Sequence, residues 1–146
     1  LNLNHTKAHL TRSILEGVCF ALKDSLDLMT DTGISVKNIR STGGGSQNRL
    51  WQQIQADVFG IPVTRVPSSG SAYGAAMLAA LGTKQFKSVK EIVAAWIRED
   101  ETVEPDSNIN RIYTEYHNHY KSLYPSLKTN FADMRPTVEG TLDLEL

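Results

Sequence analysis

Three consecutive glycines, Gly43-Gly44-Gly45, constrain the fold of this chain more than any other feature. They follow a short strand-like segment, Val36 to Thr42, and precede an amphipathic pattern that runs from Gln47 to Phe59. Glycine tolerates positive φ angles and lets another group approach the backbone closely. The order predicts a strand, a tight turn and a helix, with backbone N–H groups gathered at the turn.

A second strand is predicted directly after this helix. Gly60 is a typical helix stop, and the β-branched segment Ile61 to Val66 follows it before the turn residues Pro67 to Gly70. A strand, a helix and a strand in this order imply a right-handed crossover between parallel strands. We therefore predict an α/β protein with a central βαβ unit.

The rest of the chain shows mainly helical patterns. Between Thr6 and Thr32, apolar residues recur at spacings of three and four, which predicts a long amphipathic helix. Its apolar positions are Leu10, Ile14, Val18, Leu22, Leu26 and Met29. An alanine-rich helix from Ser71 to Leu81 should pack closely against its neighbours, because small side chains permit a near approach.

Two further helices are predicted, at Ser88–Arg98 and Asn108–Leu127, with an acidic, proline-bearing loop between them. Beyond Lys128 no sustained period remains, so residues 129–146 are expected to form a flexible tail and residues 1–128 the folded domain. The fold should thus be predominantly helical.

Composition excludes several classes of function. The net charge of −1 and the absence of a Lys/Arg cluster argue against nucleic-acid or membrane-surface partners. No apolar stretch approaches the roughly 20 residues that cross a bilayer. The single cysteine, Cys19, lies in an apolar helical pattern and is expected to be buried. These features predict a cytoplasmic protein, and the start of the chain within a helical pattern suggests a fragment.

The glycine turn favours an anion, because free N–H groups and the helix dipole meet there, and phosphate is the natural ligand. A Walker-type phosphate loop is excluded, since no lysine follows the glycines at the required spacing. The segment Gly43 to Asn48 differs by one residue from the dinucleotide-binding pattern GxGxxG, and the next strand carries Arg65 rather than an acid. An NADP-binding domain and an unliganded packing module therefore stay open as alternatives.

Two longer motifs resemble the carboxy-terminal signature of the FGGY carbohydrate kinases. They are Thr42-Gly43-Gly44-Gly45-Ser46-Gln47-Asn48-Arg49-Leu50-Trp51 and Gln55-Ala56-Asp57-Val58-Phe59-Gly60-Ile61-Pro62-Val63. Ala72-Tyr73-Gly74-Ala75-Ala76 continues the resemblance in the same order, and the match spans roughly His5 to Lys128. Within the family, the chain looks most like the xylulose kinases. Ser69-Gly70-Ser71 departs from the pattern, since many relatives carry an acid there.

The resemblance implies an actin-like ATPase fold of which this chain is a ribonuclease-H-like, carboxy-terminal half-domain. It also implies ATP and Mg²⁺ as cofactors, with Gly44 and Gly45 against the phosphates, Gly43 shaping the turn and Asn48 facing the adenine. Ser46 and Gln47 are further candidates.

The implied activity of the whole enzyme is transfer of the ATP γ-phosphate to a sugar hydroxyl, most readily that of D-xylulose. Gluconate, ribulose or a similar sugar is the alternative within the family. The family's catalytic aspartate lies upstream of this chain, so no catalytic residue is assigned and the chain alone is expected to be inactive.

Three side-chain groups outside the turn have simpler interpretations. Asp57 lies mid-helix and should make a polar contact to a neighbouring loop. His5 and His9 have no third ligand at a recognisable spacing, so no metal site is predicted. Arg12 and Glu16 should form a surface ion pair. Finally, a two-stranded sheet would expose an edge, which predicts self-association, for example as a homodimer.

Overall fold

The computed structural model describes residues 2–67 and 70–142. The strands are β1 Ile39–Ser41, β2 Val63–Arg65 and β3 Thr102–Val103. The helices are α1 Lys7–Asp31, a 3₁₀ helix at Gly44–Gln47, α2 Arg49–Phe59, α3 Ser71–Gly82, α4 Val89–Trp96 and α5 Ser107–Leu142. The chain divides into two compact units, one ending at Asn110 and one beginning at Arg111.

The first unit contains the predicted βαβ arrangement. Strands β1 and β2 are parallel, with Ile39 opposite Val63 and Ser41 opposite Arg65. Helix α2 connects them and ends at Gly60, whose φ of 67° is left-handed and whose N–H donates to the Ala56 carbonyl at 2.8 Å. A Cβ at Gly60 would also lie 2.9 Å from Asn110 Nδ2, so both backbone and space require glycine there.

The prediction of two strands was incomplete, because the sheet of the described residues has three. Strand β3 pairs antiparallel with β2, placing Val103 opposite Val63 and Thr102 opposite Thr64. The residues of β3 were predicted to lie in a loop, because two residues are too few to show the alternation of a strand. The order β1-β2-β3 makes β1 an edge strand, as predicted.

The core of the first unit draws its apolar side chains mainly from α2, the sheet and α4. Its members are apolar side chains with almost no exposure: Ile54, Val58, Val63, Val66, Ile92 and Val103. Helix α1 packs against α2 and buries Cys19 and Phe20. The predicted apolar positions Leu10, Ile14, Val18 and Leu22, however, stay partly or largely exposed. The helix was predicted correctly, but its apolar stripe is only partly covered.

Helix α3 differs from its prediction. Of its residues only Ala80 is buried, so its small side chains are not closely packed within the described chain. Its connection to α4 is made instead by Tyr73, whose hydroxyl donates to the Trp96 carbonyl at 2.7 Å. Trp96 also packs edge to face with Phe86, with the ring centroids 5.7 Å apart.

The described part of the second unit is helical and consists of α5 from Arg111 onwards. Regular structure was predicted to end near Lys128, but α5 extends to Leu142, and residues 143–146 lie outside the described residues. Tyr124 and Phe131, about two turns apart, stack with ring centroids 6.5 Å from one another. This contact supports the helix beyond the predicted boundary, while the flexibility expected of residues 129–146 stays a prediction.

Candidate functional site

The glycine turn begins with a backbone conformation that favours glycine. Gly43 has φ 82° and ψ −173°, a combination that costs an L-residue free energy. The 3₁₀ helix then closes with a hydrogen bond from the Ser46 N–H to the Gly43 carbonyl at 3.2 Å. The Ser46 hydroxyl donates to the same carbonyl at 2.7 Å, so one acceptor anchors both groups.

Two amides at this turn have no hydrogen-bond partner among residues 2–67 and 70–142. Gly44 and Gly45 precede the first hydrogen bond of the 3₁₀ helix, so their N–H groups have no partner within it. A Cβ added at Gly43 or Gly44 would meet no atom within 4 Å, whereas one at Gly45 would lie 3.5 Å from the Trp51 indole nitrogen. All three glycines are exposed, so the turn is open to solvent.

The sequence pattern predicted Asn48 inside a helix. In the structure it lies between the 3₁₀ helix and α2. Its backbone is extended, and its Oδ1 accepts the Trp51 N–H at 3.2 Å, which makes it the N-cap of α2. The side chain is exposed, and this role leaves Nδ2 as a donor. Asn48 can thus begin the helix and still present an amide hydrogen to a ligand.

Ser46 and Gln47 occupy different environments. Ser46 is only 3% exposed and its hydroxyl is used within the turn, so its side chain shapes the turn. Gln47 is exposed and lies on the same continuous segment. All six predicted residues therefore belong to one turn, with five at its surface and one beneath it.

Gln52 supports the turn from below and was missed by sequence reasoning. Its Nε2 donates to the Ser46 carbonyl at 2.6 Å, and the side chain is buried. The available signal was its position one helical turn after Asn48, which places it on the side of α2 that faces the glycines. The apolar residues from which α2 was predicted lie on the other side of that helix.

The electrostatic character of the turn comes from its backbone. Arg49, the residue after Asn48, forms an ion pair with Glu101. The neighbouring residues of that acidic segment also pair, Asp100 with Arg65 and Glu99 with Arg40. Free amides and the start of the helix are consequently the electropositive features that a phosphate would meet.

The remaining sequence predictions have clear structural outcomes. Asp57 Oδ1 accepts the Asp106 N–H at 2.8 Å and Gln53 Nε2 at 2.9 Å, which confirms a structural contact to a neighbouring loop. Arg12 and Glu16 form the predicted pair at 2.7 Å.

No group of three His, Cys, Asp or Glu side chains is arranged to bind a metal in residues 2–67 and 70–142. Across the same residues, the structure contains no helix with the length and hydropathy of a membrane span.

Comparison with known proteins identifies the family of this chain. Residues 1–83 match the model of the FGGY family of carbohydrate kinases, C-terminal domain. The xylulose kinase of Staphylococcus epidermidis is 37% identical over 131 residues, which cover 89% of this chain and 26% of the relative. The chain belongs to the FGGY family of carbohydrate kinases. It spans about a quarter of the length of the curated relatives it matches.

Solved FGGY kinases have the same local fold. The crystal structure of xylulose kinase from Rhodospirillum rubrum matches with a TM-score of 0.79 and 32% identity, over 90% of this chain and 27% of that one. Plasmodium falciparum glycerol kinase, solved with ADP, matches with a TM-score of 0.70 and 25% identity, over 84% and 25%. A xylulose kinase and a glycerol kinase therefore share this part of the fold.

Proposed function

We propose that this chain is the nucleotide-binding, carboxy-terminal half-domain of an ATP-dependent sugar kinase with the ribonuclease-H-like fold of the actin-like ATPases. The observation that carries the proposal is the open turn at Gly43 to Asn48, which presents the free amides of Gly44 and Gly45 beside a glycine with a positive φ. Family membership supports it independently.

In this proposal the turn positions ATP. The amides of Gly44 and Gly45 hold phosphate oxygens, Gly43 lets the backbone reverse, and Asn48 Nδ2 donates to the adenine. Phosphoryl transfer depends mainly on positioning and electrostatic stabilisation, so fixed backbone donors suit it. The proton acceptor and the sugar contacts belong to the rest of the enzyme, and we expect the chain alone to be inactive.

Mg²⁺ is the expected partner of the nucleotide, and the described residues contain no group of three His, Cys, Asp or Glu side chains that could hold a metal by itself. It would be held mainly by the nucleotide phosphates and water. No step of the proposal depends on a metal ligand from these residues.

For the acceptor we propose D-xylulose, because the S. epidermidis and R. rubrum relatives are xylulose kinases. Gluconate, ribulose or a similar sugar is the second candidate, because glycerol kinases are also among the relatives and membership of the family therefore does not fix the acceptor. The cytoplasmic location inferred from composition also stays a prediction.

An NMR titration of the ¹⁵N-labelled chain with Mg-ADP tests the proposal, with NADPH as the competing ligand. We expect Mg-ADP alone to shift the amides of Gly43, Gly44, Gly45 and Asn48. Gly44→Ala should remove these shifts without destabilising the chain, because the added Cβ meets no atom within 4 Å. Gly82→Ala, which also adds a Cβ in open space, is the matched control. A response to NADPH alone would favour the dinucleotide alternative and contradict the proposal.

A further inference from the structure

The three glycines that open the turn also make its backbone permissive. Gly43, Gly44 and Gly45 are all exposed, and a Cβ added at Gly43 or Gly44 would meet no atom within 4 Å. Glycine crosses between left-handed and right-handed backbone conformations at little cost, so the glycines themselves allow the Gly43–Gly44 peptide to rotate. A turn that binds a ligand through its amides therefore needs contacts elsewhere that select one orientation.

The direction of the Gly44 amide follows from the carbonyl that precedes it. The Gly43–Gly44 peptide is trans, so its N–H and its C=O point in opposite directions. The Gly43 carbonyl points towards Ser46, because it accepts the Ser46 N–H at 3.2 Å and the Ser46 hydroxyl at 2.7 Å. Ser46 is only 3% exposed, so the carbonyl is turned inwards and the Gly44 N–H is turned outwards.

Gln52 holds Ser46 from the first turn of α2. Its Nε2 donates to the Ser46 carbonyl at 2.6 Å, and its backbone N–H donates to the Asn48 carbonyl at 3.1 Å. The side chain therefore starts from regular helix and is only 2% exposed. Gln52, Ser46 and Gly43 thus form a chain of hydrogen bonds beneath the turn, called here the Gln52–Ser46 relay.

The residue type at position 52 indicates what the relay contributes. A methionine of similar length could be buried there without removing an amide from water, whereas the glutamine must offset that cost with its hydrogen bond. Once desolvation is counted, such a bond adds little net stability. Buried polar networks do, however, favour one arrangement over its alternatives. We therefore expect the main effect of Gln52 to be on the orientation of the turn.

We propose that Gln52 and Ser46 are positioning residues of the nucleotide site. The relay holds the Gly43 carbonyl inwards and thereby keeps the Gly44 N–H aimed at the phosphate oxygens, while neither side chain contacts the ligand. Loss of the relay frees the Gly43–Gly44 peptide to rotate, which lowers affinity because the amide must then be ordered on binding. The inference rests on the proposed function of the turn, but the order of the amide can be measured without nucleotide.

Backbone relaxation of the ¹⁵N-labelled 146-residue chain without nucleotide tests the orientation directly. The order parameter of the Gly44 amide should be about 0.85 in the unchanged chain and fall below about 0.6 in Gln52→Met, which has no donor. Gln55→Met is the matched control, because Gln55 is also a buried glutamine of α2 and its Oε1 has no hydrogen-bond partner among the described residues. An order parameter that is the same in all three proteins would overturn the proposal.

Affinity for Mg-ADP separates positioning from stability. Gln52→Met should raise Kd about tenfold, as expected for one misdirected hydrogen bond, while the Gln55→Met control leaves Kd unchanged. A merely structural role would lower the urea midpoint and leave the Kd of the folded chain as it was. That result would contradict the proposal.

A double variant tests whether the two residues act in series. Ser46→Ala removes the hydroxyl with little change in volume and should raise Kd by a similar factor. Combined with Gln52→Met, it should raise Kd little further than either substitution alone, because both break the same relay. Effects that multiply would show independent roles and overturn the relay.

The relay and the proposed function fail in different ways. A Gly44 amide that loses order in Gln52→Met, in a chain that does not respond to Mg-ADP, would contradict the proposed function and leave the relay in place. A response to Mg-ADP that is equal in the unchanged chain, Gln52→Met and Ser46→Ala would overturn the relay and leave the proposed function in place.

Discussion

Helices α1 and α2 have the same kind of amphipathic sequence, yet the structure covers them very differently. Seven of the 11 residues of α2 are buried, against two of the 25 residues of α1. Ile54 of α2 is 1% exposed, and Ile14 of α1 is 67% exposed. Hydrophobic periodicity therefore identifies which side of a helix is apolar. Whether that side is buried depends on the elements that pack against it in this chain.

The largest expected effect concerns Cys19, on the covered side of α1. Burial, followed by the nearby Glu16 carboxylate, raises the pKa of the Cys19 thiol to about 12. Alkylation by iodoacetamide at pH 8 should be about 1,000-fold slower than in the urea-unfolded chain, because the thiolate is the nucleophile. Equal rates measured by mass spectrometry would show that α1 detaches from α2.

The same pKa fixes the sign of a pH effect on stability. Above the usual thiol pKa of 9.0 the unfolded chain loses the Cys19 proton, while the folded chain keeps it until about 12. This contribution to the free energy of unfolding is thus complete below about pH 9 and lost as pH rises towards about 12. Cys19→Ala should remove that part of the pH dependence in urea titrations.

An isoleucine-to-alanine substitution in each of the two helices compares how deeply the two side chains are buried. Ile54→Ala should lower the free energy of unfolding by about 3 kcal/mol, because it leaves a cavity in the core. Ile14→Ala in the isolated chain should change it by less than about 0.5 kcal/mol. Urea denaturation measures both, and a comparable loss for Ile14→Ala would mean that the α1 stripe is already covered.

A smaller effect is expected at the link between α2 and the start of α5. Asp57→Ala removes the acceptor of the Asp106 amide and should destabilise the chain by about 2 kcal/mol. Asp31→Ala, at the exposed end of α1, is the matched control and should change stability by less than about 0.5 kcal/mol. Similar values for the two variants would show that the Asp57 contact is not an anchor.

The smallest effect separates two roles of Asn48. Asn48→Ala removes the N-cap and should cost about 1 kcal/mol, whereas Asn48→Ser keeps a capping oxygen and should restore most of it. Neither variant retains Nδ2, so both should weaken the response to Mg-ADP. A full response in Asn48→Ser would exclude the adenine contact from the proposed function.

Local signals in the sequence were sufficient for much of the fold. Gly60 ended α2 as predicted, and the parallel pairing of β1 with β2 followed from the order of the elements. Asp57 was correctly predicted to make a structural contact, because a mid-helix carboxylate beside a loop can accept hydrogen bonds from the amides of that loop. The signals for these outcomes lay in short stretches of sequence, although the contacts themselves join distant residues, as Asp57 and Asp106 show.

Longer-range features were harder to predict. Strand β3 depends on pairing with β2 about 40 residues away, and its two residues have no pattern of their own. The small residues of α3 indicate that a close neighbour is possible, but not whether the described chain provides one. At the candidate site, the turn was predicted, whereas Gln52 beneath it was not, since its role depends on the path of the Ser46 carbonyl.

The acidic segment Glu99-Asp100-Glu101 has a consequence for the evolution of loop length. Its three successive side chains contact β1, the end of β2 and the first residue of α2, through Arg40, Arg65 and Arg49. Individual exposed ion pairs contribute little to stability, so single substitutions should be tolerated. Deleting one residue there would instead misalign all three pairs together. This stretch should therefore accept changes of sequence far more readily than insertions or deletions.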